Sequence, residues 1–327
     1  MPAPLIGYHA SHEQIPPSGL LRCVTAAEEA GFQAAMCSDH FAPWSERQGQ
    51  SGFAWAWLGA ALQATDLSFG VVNAPGQRYH PAIIAQAVAT LGEMFPGRFW
   101  VALGSGEASN EHITGDRWPR HDQRTARLGE SVDVIRRLLA GETVSHDGQV
   151  TVDRARLWTR PEQPPMLVGP AVSVETARWV GGWADALVTI NQPHDKLKAM
   201  IEAFREGGGE GKPLFLQVHL SYAADEDTAL AVAYDQWGSN VVDSSLAWNL
   251  ELPEQFQAAM KFVEPDDVRG PVLVSADLGR HTAWLQEYLD LGFERLYLHE
   301  VGQEPHQRPF IDAFGSKVIP ALTGGDS

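Results

Sequence analysis

Residues 68–104 read SFGVVNAPGQRYHPAIIAQAVATLGEMFPGRFWVALG, and one full turn of the pattern that decides the fold lies inside them. Residues 68–72 form a short apolar strand, and residues 100–104 form another. Between them residues 81–94 make a longer amphipathic run, opened by Pro81 where a first helical turn tolerates proline. Strand, helix, strand in this order is what parallel strands joined by helices produce.

The same alternation extends in both directions. Further strands are predicted at 5–8, 34–38, 166–168, 186–189, 215–220 and 295–299, which with the first two makes eight, the barrel number. Helices are predicted at 19–30, 53–65, 124–140, 174–182, 195–206, 226–237 and 280–291. Gly31 and Gly292 stop two of them. Two stretches interrupt the order and read as insertions. Residues 143–158 carry an Asp147-Gly148 turn between alternating runs, a small hairpin. Residues 238–271 are polar and irregular, and hold Trp248 and Phe256, which need cover by walling a pocket or reaching a partner subunit. Gly207–Gly211 (GGGEG) reads as a flexible helix-to-strand connection. The expected fold is α/β, a (β/α)8 TIM barrel with these insertions, in a single domain over residues 1–327. A doubly wound open sheet shares the periodicity and stays open at this point.

The 327 residues carry 24 Lys and Arg against 41 Asp and Glu, a formal charge of −17 that repels phosphate backbones and anionic lipid. Nucleic-acid and membrane partners are therefore not expected. No apolar run reaches the roughly 18 residues of a membrane span, and the start MPAPLIGYHAS lacks the order of a signal peptide. A cytoplasmic location is expected. Cys23 and Cys37 read as buried reduced thiols. The 11 tryptophans must pack in the core, a pocket or a subunit interface.

In a barrel of this kind reactive groups gather at the carboxyl ends of the strands. His9, His12 and Glu13 follow the first strand, Asp39, His40 and Trp44 the second, Asn73 to Arg78 the third, and Ser105, Gly106, Glu107 and Asn110 the fourth. Neighbours on a strand point to opposite sides, so Asp39 does not orient His40 without a turn between them. Glu13, one strand away, is the nearest alternative. His40 has two readings: an acid-base imidazole held by a carboxylate, or a histidine bonding loop backbone. Glu107 is either a proton donor near a ring nitrogen or an acid in the first turn of a helix.

Residues 104–110, GSGEASN, offer backbone N–H groups to an anionic or carbonyl-bearing ligand, but fail as a dinucleotide fingerprint because Ser109 stands at the third glycine. The loop Val168 to Ser173 is placed either for a phosphate group or simply to cap a helix, and contains no basic side chain. His112, His121 and His146 lie in polar surroundings, and His194, His281 and His306 read as loop or surface groups. No metal-ligand spacing and no GxSxG elbow is present, so no metal is expected.

Four runs together, GYHASHEQIPP (7–17), SDHFAPW (38–44), RYHPAIIAQAVATL (78–91) and GSGEASNE (104–111), closely resemble the bacterial luciferase-like flavin/deazaflavin superfamily. The resemblance covers residues 5–322 and is strongest to the branch holding F420-dependent glucose-6-phosphate dehydrogenase. It implies a homodimeric barrel that passes hydride through a flavin-type ring. It also implies roles: His40 as catalytic base, Glu13 as its supporting carboxylate, Trp44 beside the substrate, and Glu107 near the ring's N1. Asp39, Ala74, Ser105, Gly106 and Asn110 would contact the cofactor, Ala171, Val172 and Ser173 would hold its phosphate, and Val71-Val72 would form a non-prolyl cis bulge behind the ring.

Where the sugar-phosphate enzymes carry a phosphate-binding lysine, this chain reads Ile190-Asn191-Gln192, and their other basic contact, near Pro271, is also missing. A sugar phosphate is therefore not the expected substrate. Gly49-Gln50-Ser51-Gly52 and Gly76-Gln77-Arg78 fit a sister group thought to use FMN. The expectation is an FMN-dependent oxidoreductase, a monooxygenase among the options, acting on a small organic substrate. Its alternatives are an F420-dependent dehydrogenase or reductase of a non-phosphorylated alcohol or sugar, and a non-catalytic flavin-binding protein.

Overall fold

The computed structural model describes residues 4–242 and 244–324. Eight parallel strands close on themselves: β1 (Leu5–Ala10), β2 (Ala34–Ser38), β3 (Ser68–Asn73), β4 (Phe99–Leu103), β7 (Met166–Pro170), β8 (Ala186–Ile190), β9 (Leu214–Ser221) and β11 (Arg295–Glu300). The β8–β9 and β11–β1 pairings complete the ring and exclude the open sheet. Between β4 and β7 the hairpin β5 (Val144–Asp147) and β6 (Thr151–Ala155) pairs antiparallel, as the Asp147-Gly148 turn predicts. Beyond Gln217 the β8 side of β9 is taken over by the short β10 (Leu273–Val274).

Strand alternation sorts the side chains into two layers. On β1, Ile6, Tyr8 and Ala10 face the helices. In the lumen Trp100, Phe215 and Tyr297 pack together with Ala34, Met36, Ala102 and Val188 into a closed plug. Trp100 needs space that only glycine leaves: a Cβ built on Gly70 would stand 1.9 Å from its ring. Gly70→Ala is therefore expected to destabilise the fold by about 3 kcal/mol or more, beyond ordinary overpacking. Urea unfolding of the two proteins checks this, and an unchanged midpoint would refute the packing argument.

Two expectations about local structure are corrected. Gly207–Gly211 is not a flexible connection, because a Cβ on Gly207 would meet the Arg178 carbonyl oxygen at 1.9 Å. The glycines let this turn pack against the helix Val174–Gly181. His281 is not a surface group; it is fully buried in the helix Leu278–Asp290, with Nε2 3.0 Å from the Ser275 carbonyl oxygen. The stretch 238–271 is less irregular than expected, since it contains the helix Pro253–Met260 and turns of 3-10 helix. After β11 the chain continues into helices from Glu304 to Thr323, which close the outer ring beside the helix Pro17–Glu29.

Candidate active site

A cavity of about 640 Å³ opens at the carboxyl ends of the strands. The plug of lumen aromatics closes it below, and the stretch 238–271 walls it from the side through Asn240, Trp248 and Phe256.

His40 follows β2 and projects into this cavity. Its Nδ1 lies 2.6 Å from Glu13 Oε1 and its Nε2 3.9 Å from Glu107 Oε2. Glu13 acts on this nitrogen both through its charge and as a proton acceptor, and the charge is the larger influence. Burial opposes protonation of His40, but the Glu13 carboxylate, reinforced by Glu107, outweighs it and raises the imidazole above its ordinary value. Burial likewise opposes ionisation of Glu13, but His40 and then His9 overcome it, and the Ser11 hydroxyl donates to Glu13 Oε2 at 2.8 Å; the carboxyl is held below the usual range. Glu107 is different. Desolvation dominates there, Glu13 and Glu111 add to it, and its carboxyl is raised despite His40.

Trp44 sits edge-on to His40 at 5.3 Å between ring centroids and edge-on to Phe256 at the same separation. Asn110 links the site's two loops. Its Oδ1 accepts from the Phe41 backbone N–H at 2.7 Å, and its Nδ2 donates to Glu107 Oε2 at 3.4 Å.

Asp39 also lines the cavity, yet protein donors already occupy its carboxylate: Trp55 Nε1 at 3.0 Å, Asn73 Nδ2 at 2.8 Å and Tyr79 Oη at 3.3 Å. Arg78 lies 3.6 Å from the carboxylates of both Asp39 and Glu111 and balances their charge. Trp55 is therefore a support behind Asp39 and not part of the cavity wall.

Val72, Ala74, Ser105, Gly106, Ala171 and Val172 all line the cavity. Val71 does not. Strand alternation turns it into the core outside the barrel, fully buried among helix side chains. The expected cis bond at Val71-Val72 is corrected too: the described residues contain no cis peptide. β3 there keeps unbroken parallel register with β2 and β4, which trans bonds satisfy.

Ser173 is also absent from the cavity wall. Its hydroxyl accepts from the Thr176 backbone N–H at 3.2 Å and caps the helix Val174–Gly181. Three of the amides after Gly106 are also taken by protein acceptors. The helix Ala108–Glu111 has four residues; Ala108 N–H is taken by the Trp248 carbonyl, and those of Asn110 and Glu111 by the Glu107 carbonyl.

The cationic end of the cavity comes from elsewhere in the chain. Arg124 and Lys196, from the helices after β4 and β8, line the same cavity as Ala171 and Val172. Arg124 is buried, stacked 4.5 Å over the Trp118 ring, and its Nε has no protein acceptor. Such a group fits the phosphate end of a ring cofactor, as the small aliphatic side chains fit its flat ring. Both cations lie outside the loop 168–173.

The cavity also has a polar floor built from His9, Asn191, Gln217, His219 and His299. Gln217, His219 and His299 interrupt otherwise apolar strands, and that interruption is the sequence signal that could have revealed them. Among the described residues no cluster of ligand side chains could hold a metal ion, and no helix is long and apolar enough to cross a membrane.

Comparison with known proteins supports the same picture. The family model described as luciferase-like monooxygenase matches residues 5–295. The F420-dependent glucose-6-phosphate dehydrogenase of Nakamurella multipartita is 33% identical, over 98% of this chain and 97% of its own. That of Microbacterium testaceum is also 33% identical, over 97% and 96%. A solved F420-dependent secondary alcohol dehydrogenase, in complex with an F420-acetone adduct, is 31% identical with a TM-score of 0.89, covering 98% of this chain and 99% of its own. A solved riboflavin lyase with modified FMN and a type II Baeyer-Villiger monooxygenase in complex with FMN are 14% and 16% identical and share the fold. From its closed barrel and its match over nearly all of its length, the chain belongs to the luciferase-like family and is a flavin- or F420-dependent oxidoreductase.

Proposed function

We propose that this enzyme is an F420-dependent dehydrogenase or reductase, one catalytic domain, acting on a small non-phosphorylated alcohol or the matching carbonyl compound. The observation that carries the reading is His40 in the cavity with Nδ1 against Glu13 and Nε2 toward Glu107. The relatives named for F420 at 31–33% identity favour F420 over the FMN expected from the loop motifs, since neighbours named for FMN support only the fold.

F420, when bound, supplies a ring that accepts or returns a hydride. The chain supplies the rest. Val72, Ala74, Ala171 and Val172 would hold the ring, Arg124 and Lys196 its phosphate end, and Asn110 the segment between, while Asp39 supports Asn73 and Arg78 from behind. In alcohol oxidation, His40 Nε2 takes the hydroxyl proton while Glu13 keeps Nδ1 protonated and the imidazole in one orientation. In carbonyl reduction His40 returns that proton. Desolvation raises the Glu107 carboxyl, so it takes up a proton at higher pH than an exposed carboxyl would, while it still faces His40 Nε2 across 3.9 Å. Trp44 packs the substrate against His40, and Phe256 fixes Trp44 from behind.

The absence of a lysine at Ile190-Asn191-Gln192 disfavours a phosphorylated sugar. Titration of the purified protein with F420 and with FMN tests the cofactor. We expect F420 to bind about tenfold tighter or more, roughly 1.4 kcal/mol. Mass analysis showing retained FMN, with no F420 binding, would overturn the assignment.

A further inference from the structure

On the cavity floor the imidazole rings of His9 and His299 stack at 4.3 Å, 20° from parallel, and His219 lies 5.3 Å from His299. Their tautomers follow from the amides around them. Gln14 Nε2 is committed to the Val301 carbonyl, so its Oε1, 2.9 Å from His299 Nε2, accepts a proton from that nitrogen. His299 Nδ1 is then an acceptor. Asn191 Nδ2 donates to the Pro271 carbonyl at 2.9 Å, so Asn191 Oδ1 accepts from His219 Nδ1 at 3.1 Å and leaves His219 Nε2 an acceptor. Gln217 Nε2 donates to both free acceptors, at 3.2 and 3.3 Å. Every amide N–H and imidazole nitrogen in this chain of bonds has one assignment, and all of it is uncharged. Burial agrees, bringing His219 down to about 3 and His299 well below its ordinary value.

The network stops short of His9. This ring is 2% exposed, lines the cavity, and has no protein partner on either nitrogen. Burial lowers it to about 4, so it is a neutral ring with one donor and one acceptor. Leaving two such atoms unpaired costs stability that a ligand reaching the floor would recover. Gln217, with its amide N–H groups spent on the two histidines, leaves its Oε1 as a further acceptor facing the same space.

Resting on the oxidoreductase reading above, we propose that His9 and Gln217 Oε1 form a subsite for a second, uncharged oxygen function of the substrate, a hydroxyl beyond the one at His40. The preferred substrate is then a neutral polyol rather than a simple alcohol. An anionic group is disfavoured there because neither the neutral His9 nor Gln217 carries a positive charge and the Glu13 carboxylate acts on His9. A site built to hydrogen-bond a hydroxyl discriminates strongly against the analogue lacking it.

The test is binding to the whole protein, followed by the fluorescence of Trp44 and Trp248 in the cavity wall, with glycerol, D-glucose and myo-inositol as neutral polyols. Glucose 6-phosphate and 2-propanol serve as anionic and single-hydroxyl controls. We expect saturable binding of at least one polyol, weakened about tenfold or more in His9→Phe, which keeps the ring stack but removes both nitrogens. His9→Asn restores a donor and an acceptor and should recover part of the loss. 2-Propanol should respond little to either change. Equal polyol binding in His9→Phe, no polyol binding by the unaltered protein, or equal binding of the sugar phosphate would overturn the subsite. F420 titration of the same proteins reads the cofactor assignment separately, and His9→Phe should bind F420 as the unaltered protein does.

Discussion

His40→Ala should bind F420 within about twofold of the unaltered protein yet reduce it with a secondary alcohol such as 2-propanol about 10³-fold more slowly, the usual scale for losing a positioned general base. The imidazole faces the cavity and has Glu13 and Glu107 beside its two nitrogens. Removing it leaves a hydroxyl with no acceptor for its proton, while the cavity's aliphatic wall and Arg124 are untouched. The fold should tolerate the change, because His40 lies on a loop after β2 and the barrel below is closed by the packing of Trp100, Phe215 and Tyr297. Steady-state rates beside a binding titration separate the possibilities. Unchanged turnover would mean another base does the work. Lost cofactor binding would mean His40 is part of the binding surface. A protein that binds the cofactor and shows no turnover even with His40 present would favour the non-catalytic alternative.

The fold is legible because each strand carries its own signal: a short apolar run, a turn, then a helix face repeating every three or four residues. All eight barrel strands, and the hairpin beside Asp147-Gly148, fall where the sequence predicts them. What the alternation does not encode is convergence. His9, Gln217 and His299 come from strands far apart in the chain, and become neighbours only when β11 pairs with both β1 and β9. Arg124 is invisible for the same reason: it reaches the cavity from a helix, not from the glycine-containing loop at 168–173. The glycine run at 207–211 shows the opposite error. Its composition reads as flexibility, but its cause is the Arg178 backbone, which leaves no space for a Cβ. Local composition does not separate a glycine chosen for freedom from one chosen for contact.

Glu13→Gln should move the pH profile of alcohol oxidation downward and lower its plateau. The sign follows from the proton His40 must accept. Oxidation needs Nε2 unprotonated, so kcat/KM rises about tenfold per pH unit below the imidazole's midpoint and levels above it. With Glu13 ionised that midpoint lies above the ordinary histidine value. Glutamine keeps the size of the side chain but removes its charge, leaving burial as the largest influence on His40, with only Glu107 to oppose it. The midpoint then falls, and each unit of fall reports about 1.4 kcal/mol of lost stabilisation of the imidazolium. The plateau should drop by roughly 10–10², because a less basic and less firmly oriented imidazole accepts the proton poorly. Carbonyl reduction runs the same proton backwards: it needs His40 protonated, so its rate declines above the midpoint, and Glu13→Gln should make that decline begin at lower pH. Opposite slopes in the two directions, sharing one displaced midpoint, are not expected of a residue that only holds the loop in place. If the rates fall while both midpoints stay fixed, Glu13 is a structural support and His40 takes its basicity from another source.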